Sequence, residues 1–296
     1  MKQKLILLAL LVAVGVGCTA SGNRFEPVIS LSDTLQIATF NVRIRTTSDK
    51  GVRSWQHRKP LVASLVQRNL FDVFGVQELI DHEQEKDLSA ALPSYAVFST
   101  GRDNTAGTTG ERLALFYLQD RYRRLQDGFF FLSDTPDKAS KGWDAALNRI
   151  CQWVELQDKI TGLRFFVFNT HFDHIGKEAR AQSARLVAAR VKAIAGDRPV
   201  FLLGDFNAAP SEKKVYNELT QALHDARTIA TRIVEPSVGT FNGWNTQVDS
   251  FSEDVRIDYI FTSENKVEEY TVITGKSTGN AYPSDHFPVM IRYKAR

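Results

Sequence analysis

The residues that could do chemistry in this chain are few, and they stand at the ends of apolar, β-prone runs. Asn41 closes Thr39-Phe40-Asn41, Glu78 closes Gly75-Val76-Gln77-Glu78, and His171 closes Asn169-Thr170-His171. Asp205 and Asn207 end Leu202-Leu203-Gly204-Asp205-Phe206-Asn207, Asp258 lies in Arg256-Ile257-Asp258-Tyr259-Ile260, and Asp285-His286 precede Phe287-Pro288. Each alone has an ordinary explanation: a turn residue, a helix cap for Asn207, a loop hydrogen bond for Asp285-His286, a solvated strand end for Glu78. Together they read differently. Carboxylates and side-chain amides are hard oxygen donors of the kind that hold Mg²⁺ or Mn²⁺. Zinc would call for thiolates or a helical His pair, and the set has neither. Two His and no candidate Ser or Cys nucleophile suit general acid–base work on an activated water.

Such side chains need rigid strands beneath them. The pattern predicts strands over 35–42, 71–76, 113–118, 150–156, 163–170, 199–203, 255–262, 270–274 and 287–293. Helical spacing runs from Arg53 to Asn69, with Pro60 placing the regular start near that residue. The clearest helix is 178–195, with Leu186, Val187, Val191 and Ile194 on one face, Arg180 and Arg185 directed elsewhere, and Gly196 ending it. Ser211 reads as the N-cap of a helix through Leu219. Strands outnumber helices and often follow one another directly, which predicts α+β sheet layers rather than a doubly wound parallel sheet. No linker, repeat or charge block interrupts residues 35–296, so they read as one domain.

The whole chain has 296 residues, 43% of them hydrophobic, enough to bury a sizeable core and unlike a disordered, collagen-like or disulfide-framework chain. Residues 1–17 place Lys2 and Lys4 before an apolar run from Leu5 to Gly17, the layout of a secretory leader. Cys18 follows directly, as in a bacterial lipobox, although Gly15 stands where such boxes usually carry Leu. The reading is a lipoprotein of the bacterial cell envelope, attached to membrane only through lipidated Cys18, with 18–34 as a tether. Loss of Lys2 and Lys4 leaves 35 basic against 34 acidic residues, so the formal +3 gives no bulk grip on nucleic acid. Cys151, in an apolar run, reads as a buried inert thiol. No protein partner is implied.

The motifs TFNVR from Thr39, QE at Gln77, NTHFDH from Asn169, GDFNAAP from Gly204, RIDYIF from Arg256 and SDHFPV from Ser284 occur in an order that resembles the endonuclease/exonuclease/phosphatase superfamily. The stretches Gly101-Arg102-Asp103, Leu132-Ser133-Asp134-Thr135-Pro136 and Gly142-Trp143-Asp144 are similar to a bacterial branch related to the nocturnin/deadenylase-like group. The resemblance implies a four-layer α/β sandwich, two mostly antiparallel sheets face to face with helices outside. It also implies roles. Glu78 would hold one Mg²⁺ or Mn²⁺, helped by Asn41, and Asp205 would orient or deprotonate the water. Asn207 would hold the phosphoryl group. His286 would be the acid–base partner with Asp285 fixing its ring, and Asp258 would support His171 at the scissile phosphate.

Around that core the sequence leaves alternatives. Arg149 is a phosphate clamp or a surface ion pair. Glu111 is a further metal or substrate ligand, or an exposed strand start. Asp173 and His174 would touch substrate, Trp143 and Trp244 line its mouth or anchor loops, and Arg121-Tyr122-Arg123-Arg124 is a basic patch or a solvated strand flank. The expected activity is metal-assisted hydrolysis of a phosphodiester or phosphomonoester in a phosphorylated small molecule or nucleic acid. The alternatives are a nuclease proper, a sphingomyelinase-like lipid phosphodiesterase, and a non-catalytic lipoprotein that captures a phosphorylated ligand.

Overall fold

The computed structural model describes residues 33–234, 237–248, 250–275 and 281–295. The expected leader, Cys18 and nearly all of the tether lie outside the described residues. In chain order the elements are β1 (Thr34–Asn41), α1 (Trp55–Arg68), β2 (Val73–Leu79), α2 (Asp81–Ala91), β3 (Tyr95–Gly101), β4 (Arg112–Leu118), β5 (Tyr122–Phe131), β6 (Ile150–Asp158) and β7 (Arg164–His171). There follow α3 (Lys177–Ala195), β8 (Val200–Asp205), α4 (Lys213–Ala222), β9 (His224–Asp225), α5 (Ala226–Ile229), β10 (Arg232–Val234), β11 (Asp258–Thr262), β12 (Val267–Val272) and β13 (Val289–Lys294).

The strands form a seven-stranded sheet, β10-β12-β13-β1-β2-β4-β3, and a six-stranded sheet, β5-β6-β7-β8-β11-β9. Strand alternation explains why the layers number four. Leu35 and Ile37 of β1, Leu115 of β4 and Phe201 and Leu203 of β8 point into the core between the sheets. Their neighbours turn outward: Ala38, Phe40 and Phe116 meet Val62, Val66 and Leu88 of α1 and α2, while Val200 and Leu202 meet Val187, Val191, Val215 and Leu219 of α3 and α4. A strand covered on both faces is apolar at every position, so these strands read as continuous apolar runs. The α+β sandwich expected from the sequence is therefore the fold. Each sheet mixes both strand senses, with β1–β2 and β7–β8 parallel.

Several local expectations change. The first helix starts at Trp55 with Pro60 inside it; the ring deprives the Gln56 carbonyl of a partner in one turn without ending the helix. The helix expected from Ser211 starts at Lys213 with Glu212 as N-cap. Arg180 is buried, not outward, because Glu212 receives its fork at 2.9 and 3.0 Å. Arg121 leaves the presumed basic stretch altogether: it lies buried between Asp72 and Asp158, at 3.0 and 3.1 Å. The sequence did not show α2, whose polar stretch carries Leu88 as its main apolar anchor, or β3, which is half-buried along most of its length. Cys151 is fully buried, and burial pushes its thiol pKa up.

Candidate active site

The register of both sheets carries the reactive residues to one rim. Asn41 pairs with Gln77 across β1–β2, and His171 lies opposite Asp205 across β7–β8. Asp258 faces Asp205 on the antiparallel side, and Arg112, which follows Glu111, faces Leu79. The turn into the site is sharp. Glu78 has φ 63° beside a register shift in β2–β4, and Asn207 has φ 47°. Asn tolerates this left-handed region, whereas for Glu78 the strain is on the order of 1–3 kcal/mol and must be offset by the contacts that hold it. Gly204 has φ 149°, and a Cβ there would meet the Thr170 carbonyl oxygen at 2.0 Å, so no side chain fits between Leu203 and Asp205.

At the floor of a cleft of about 420 Å³, ligand atoms of Glu78, Asp205 and His286 lie within 4.8 Å of one another. The Asn41 amide nitrogen donates to Glu78 Oε1 (3.0 Å) and to Asp205 Oδ2 (2.9 Å), while its oxygen accepts the Arg43 N–H. Asn41 thus sets the spacing of the two carboxylates, with its amide nitrogen turned toward them. Ile44 N–H donates to Glu78 Oε2 at 2.9 Å. The two carboxylates, one almost wholly buried, are the hard oxygen donors that a Mg²⁺ or Mn²⁺ ion takes. Burial opposes ionisation of Glu78, but charged His286 and the hydrogen bond from Asn41 hold its pKa below the ordinary carboxylate value, so it stays charged. Burial, then Asp258, push the Asp205 pKa upward, which suits a group that must accept a proton.

The two histidines occupy opposite states. Asp258 Oδ2 lies 2.9 Å from His286 Nδ1, leaving Nε2 facing Asp205 at 3.9 Å. Burial works against the imidazolium, yet Asp258, with Asp205 and Asp285, pushes the His286 pKa up to about 10. His171 stands 3.5 Å from Asp205 and 3.3 Å from Glu111. Burial and then Arg149 push its pKa down to about 3, so it is neutral.

These contacts correct three expectations. Asp258 orients His286 rather than His171, because its strand register sets it beside Asp205. Asp285 does not fix that ring: it sits 3.7 Å from Arg43 and accepts from Ser284 Oγ at 3.3 Å. Glu111 lines the cleft but lies outside the group able to share an ion, being held by Arg102 at 2.6 Å.

Arg149 is buried and lines the cleft, so it is not a surface ion pair. Its Nε reaches Asp173 at 3.4 Å and its Nη2 reaches His174 Nδ1 at 3.0 Å, while Nη1 has no hydrogen-bond partner. A guanidinium only donates, so His174 Nδ1 accepts and its proton sits on Nε2. Asp173 does not line the cleft. It is 1% exposed, and its oxygens take the N–H groups of Leu147, Ile175 and Gly176, so it braces Arg149 and the rim. Trp143 likewise stays off the cleft wall: Asp144 pins its loop to Ala179 of α3, and the same loop presents Leu147 and Arg149 instead. Five lining residues were not singled out from sequence: Arg43, Ile44, Leu147, Ile257 and Phe241, whose ring meets His286 at 5.0 Å between centroids. Arg43, inside TFNVR, and Ile257, inside RIDYIF, lay within motifs that carried a signal.

The chain matches the signature described as Endonuclease/Exonuclease/phosphatase family over residues 38–286. It is 40% identical to a Bacteroides thetaiotaomicron mannosyl-6-phosphatase of known structure, with 87% of this chain and 98% of that one covered and a TM-score of 0.80. It is 26% identical to an uncharacterized protein of Acanthamoeba polyphaga mimivirus, over 84% of this chain and 95% of the other. It is also 24% identical to nocturnin of Drosophila melanogaster, over 81% of this chain but 42% of that protein.

Proposed function

This chain belongs to the endonuclease/exonuclease/phosphatase family, and on that premise we propose that it is a divalent-metal-dependent phosphoesterase that hydrolyses a small sugar-phosphate monoester. The observation that carries the chemistry is the convergence of Glu78, Asp205 and His286 beneath Arg149. Glu78, with Asp205 in reach, would hold Mg²⁺ or Mn²⁺, which would supply charge neutralisation at the phosphoryl oxygens. Asp205, with its raised pKa, accepts the proton of the attacking water. His286, kept charged by Asp258, donates to a phosphoryl or leaving oxygen. Asn207 gives one amide hydrogen to the Phe172 carbonyl, leaving a second for the phosphoryl group. Arg149 Nη1 and His174 Nε2–H supply further donors.

The substrate assignment is supported by the size of the cleft, the near-neutral charge of the expected mature chain and the similarity to a mannosyl-6-phosphatase. We further propose that lipidated Cys18 anchors the enzyme at the bacterial cell envelope, from the leader-like run that precedes it. The test is a panel with and without EDTA: sugar phosphates, inositol phosphates, bis-p-nitrophenyl phosphate, single- and double-stranded DNA, RNA and sphingomyelin. Sugar phosphates should turn over fastest, and only with metal. Full activity after thorough chelation eliminates the metal; preference for a polynucleotide or lipid overturns the substrate.

A further inference from the structure

We propose that Arg58 is a positioning residue for this reaction: from helix α1 its guanidinium fastens together the two loops that carry Asn41 and His286. Arg58 is fully buried and does not itself line the cleft. Among the described residues no carboxylate pairs with it. Its nitrogens donate instead to backbone carbonyls: Nη1 to Val42 (2.5 Å) and Pro283 (3.1 Å), Nη2 to Arg43 (3.1 Å), and Nε to Arg53 (2.7 Å). Val42 and Arg43 follow Asn41, and Pro283 precedes Ser284-Asp285-His286.

A second tie lies beside the first, from Ser284 Oγ to the Asn41 carbonyl at 2.7 Å. The Trp55 and Trp244 rings lie 5.3 and 5.5 Å from the guanidinium carbon. The Trp244 loop is held in turn to the Asp285 carbonyl by Asn242 and Gly243 N–H groups. One cation thus joins three loops, alongside these direct ties between them.

Stability alone does not account for this residue. A buried guanidinium without a counter-ion is a poor source of stability, and a well-packed apolar side chain of similar volume often replaces buried charge without loss. What an apolar residue cannot do is gather carbonyls from two separate loops, and lysine lacks the fork to reach them all. Slack in the 42–44 stretch would reach the site through Ile44 N–H, which holds Glu78 Oε2.

The inference rests on the metal-dependent reading above, and its test separates the two. Arg58→Lys and Arg58→Met are compared with the parent by Mn²⁺ titration calorimetry, by Mg²⁺ dependence of turnover and by thermal unfolding. In folded variants, Mn²⁺ affinity and kcat should each fall about tenfold or more, with KM little changed, as when groups behind metal ligands are removed. Trp244→Leu, on a half-buried loop, should shift both in the same direction by less, and covers the case in which neither Arg58 variant folds. Parent-like Mn²⁺ affinity in a folded Arg58 variant, or in Trp244→Leu if the former do not fold, overturns the proposal whatever happens to Tm. A parent that binds no Mn²⁺ and ignores EDTA sinks the metal reading itself.

Discussion

Asp258→Asn isolates what a single buried carboxylate does for His286. The oxygen lost lies 2.9 Å from Nδ1, and the asparagine amide oxygen can still accept that N–H, so the ring keeps its place while losing its counter-charge. With Asp258 present the His286 pKa is pushed up to about 10 against a burial that opposes the charge. With it gone, only Asp205 and Asp285 oppose burial, and the pKa should fall to about the ordinary value of 6.5. At pH 8 the protonated fraction would then drop from nearly all to about 3%, a loss of about thirtyfold if turnover needs the imidazolium. At pH 5.5 about 90% of the ring stays protonated and the loss should be only about 1.1-fold. The assay is a pH–rate profile of parent and variant under saturating metal, with imidazole NMR of the metal-free proteins locating the titration. The same linkage has a stability sign. A histidine raised in the folded state adds stability fully below the unfolded pKa, and that stability is lost as pH climbs through the folded one. The metal-free parent should therefore weaken between pH 6.5 and 10, by at most about 5 kcal/mol, and Asp258→Asn should not. Parallel pH–rate profiles for the two proteins would refute the assignment of His286 as the charged acid.

Asp205→Ala should cut kcat by roughly 10²–10⁴-fold with an unchanged circular dichroism spectrum, since it removes the water's proton acceptor and a metal-facing oxygen. Arg149→Met should lower kcat/KM by about tenfold or more, and Arg149→Lys should not restore it, because a point charge cannot span Asp173, His174 and the substrate at once. Cys18→Ser should abolish incorporation of labelled fatty acid in growing cells and release the protein from membranes; continued labelling would place the anchor elsewhere.

The positions of the reactive residues were readable because each follows a run apolar on both faces, and a polar group after such a run stands out. Their pairings were not. Asp258 and His286 are 28 residues apart, Glu111 and His171 lie in different sheets, and only the strand registers decide who meets whom. Buried cations were invisible for a related reason. Arg58, Arg121 and Arg180 look like surface residues until their distant partners arrive: loop carbonyls for the first, Asp72 and Asp158 for the second, Glu212 for the third. Asp173 misled in the opposite sense. Its place in NTHFDH suggested substrate contact, whereas its oxygens are used up on backbone N–H groups and Arg149.

The contrast between the two histidines follows from how many cations share each partner. Both have a carboxylate near Nδ1, yet one ring is charged and the other neutral. Asp258 makes no ion pair with an arginine among the described residues, so its field acts on His286 undivided. Glu111 is shared with Arg102 and Arg149, and these two guanidiniums also repel a proton on His171 directly. Arg149, the proposed phosphate donor, therefore also helps keep His171 neutral, so its charge cannot be altered without shifting that ring. The strand ends fix the acid side through Asp205, Asp258 and the bridge between Phe241 and His286. The other side is loop: Leu147, Arg149 and His174 stand on segments braced by Asp144 and Asp173. Changes in substrate preference should therefore be reached most easily through Leu147, which lines the cleft without carrying charge, and not through Arg149, whose loss would shift His171 as well.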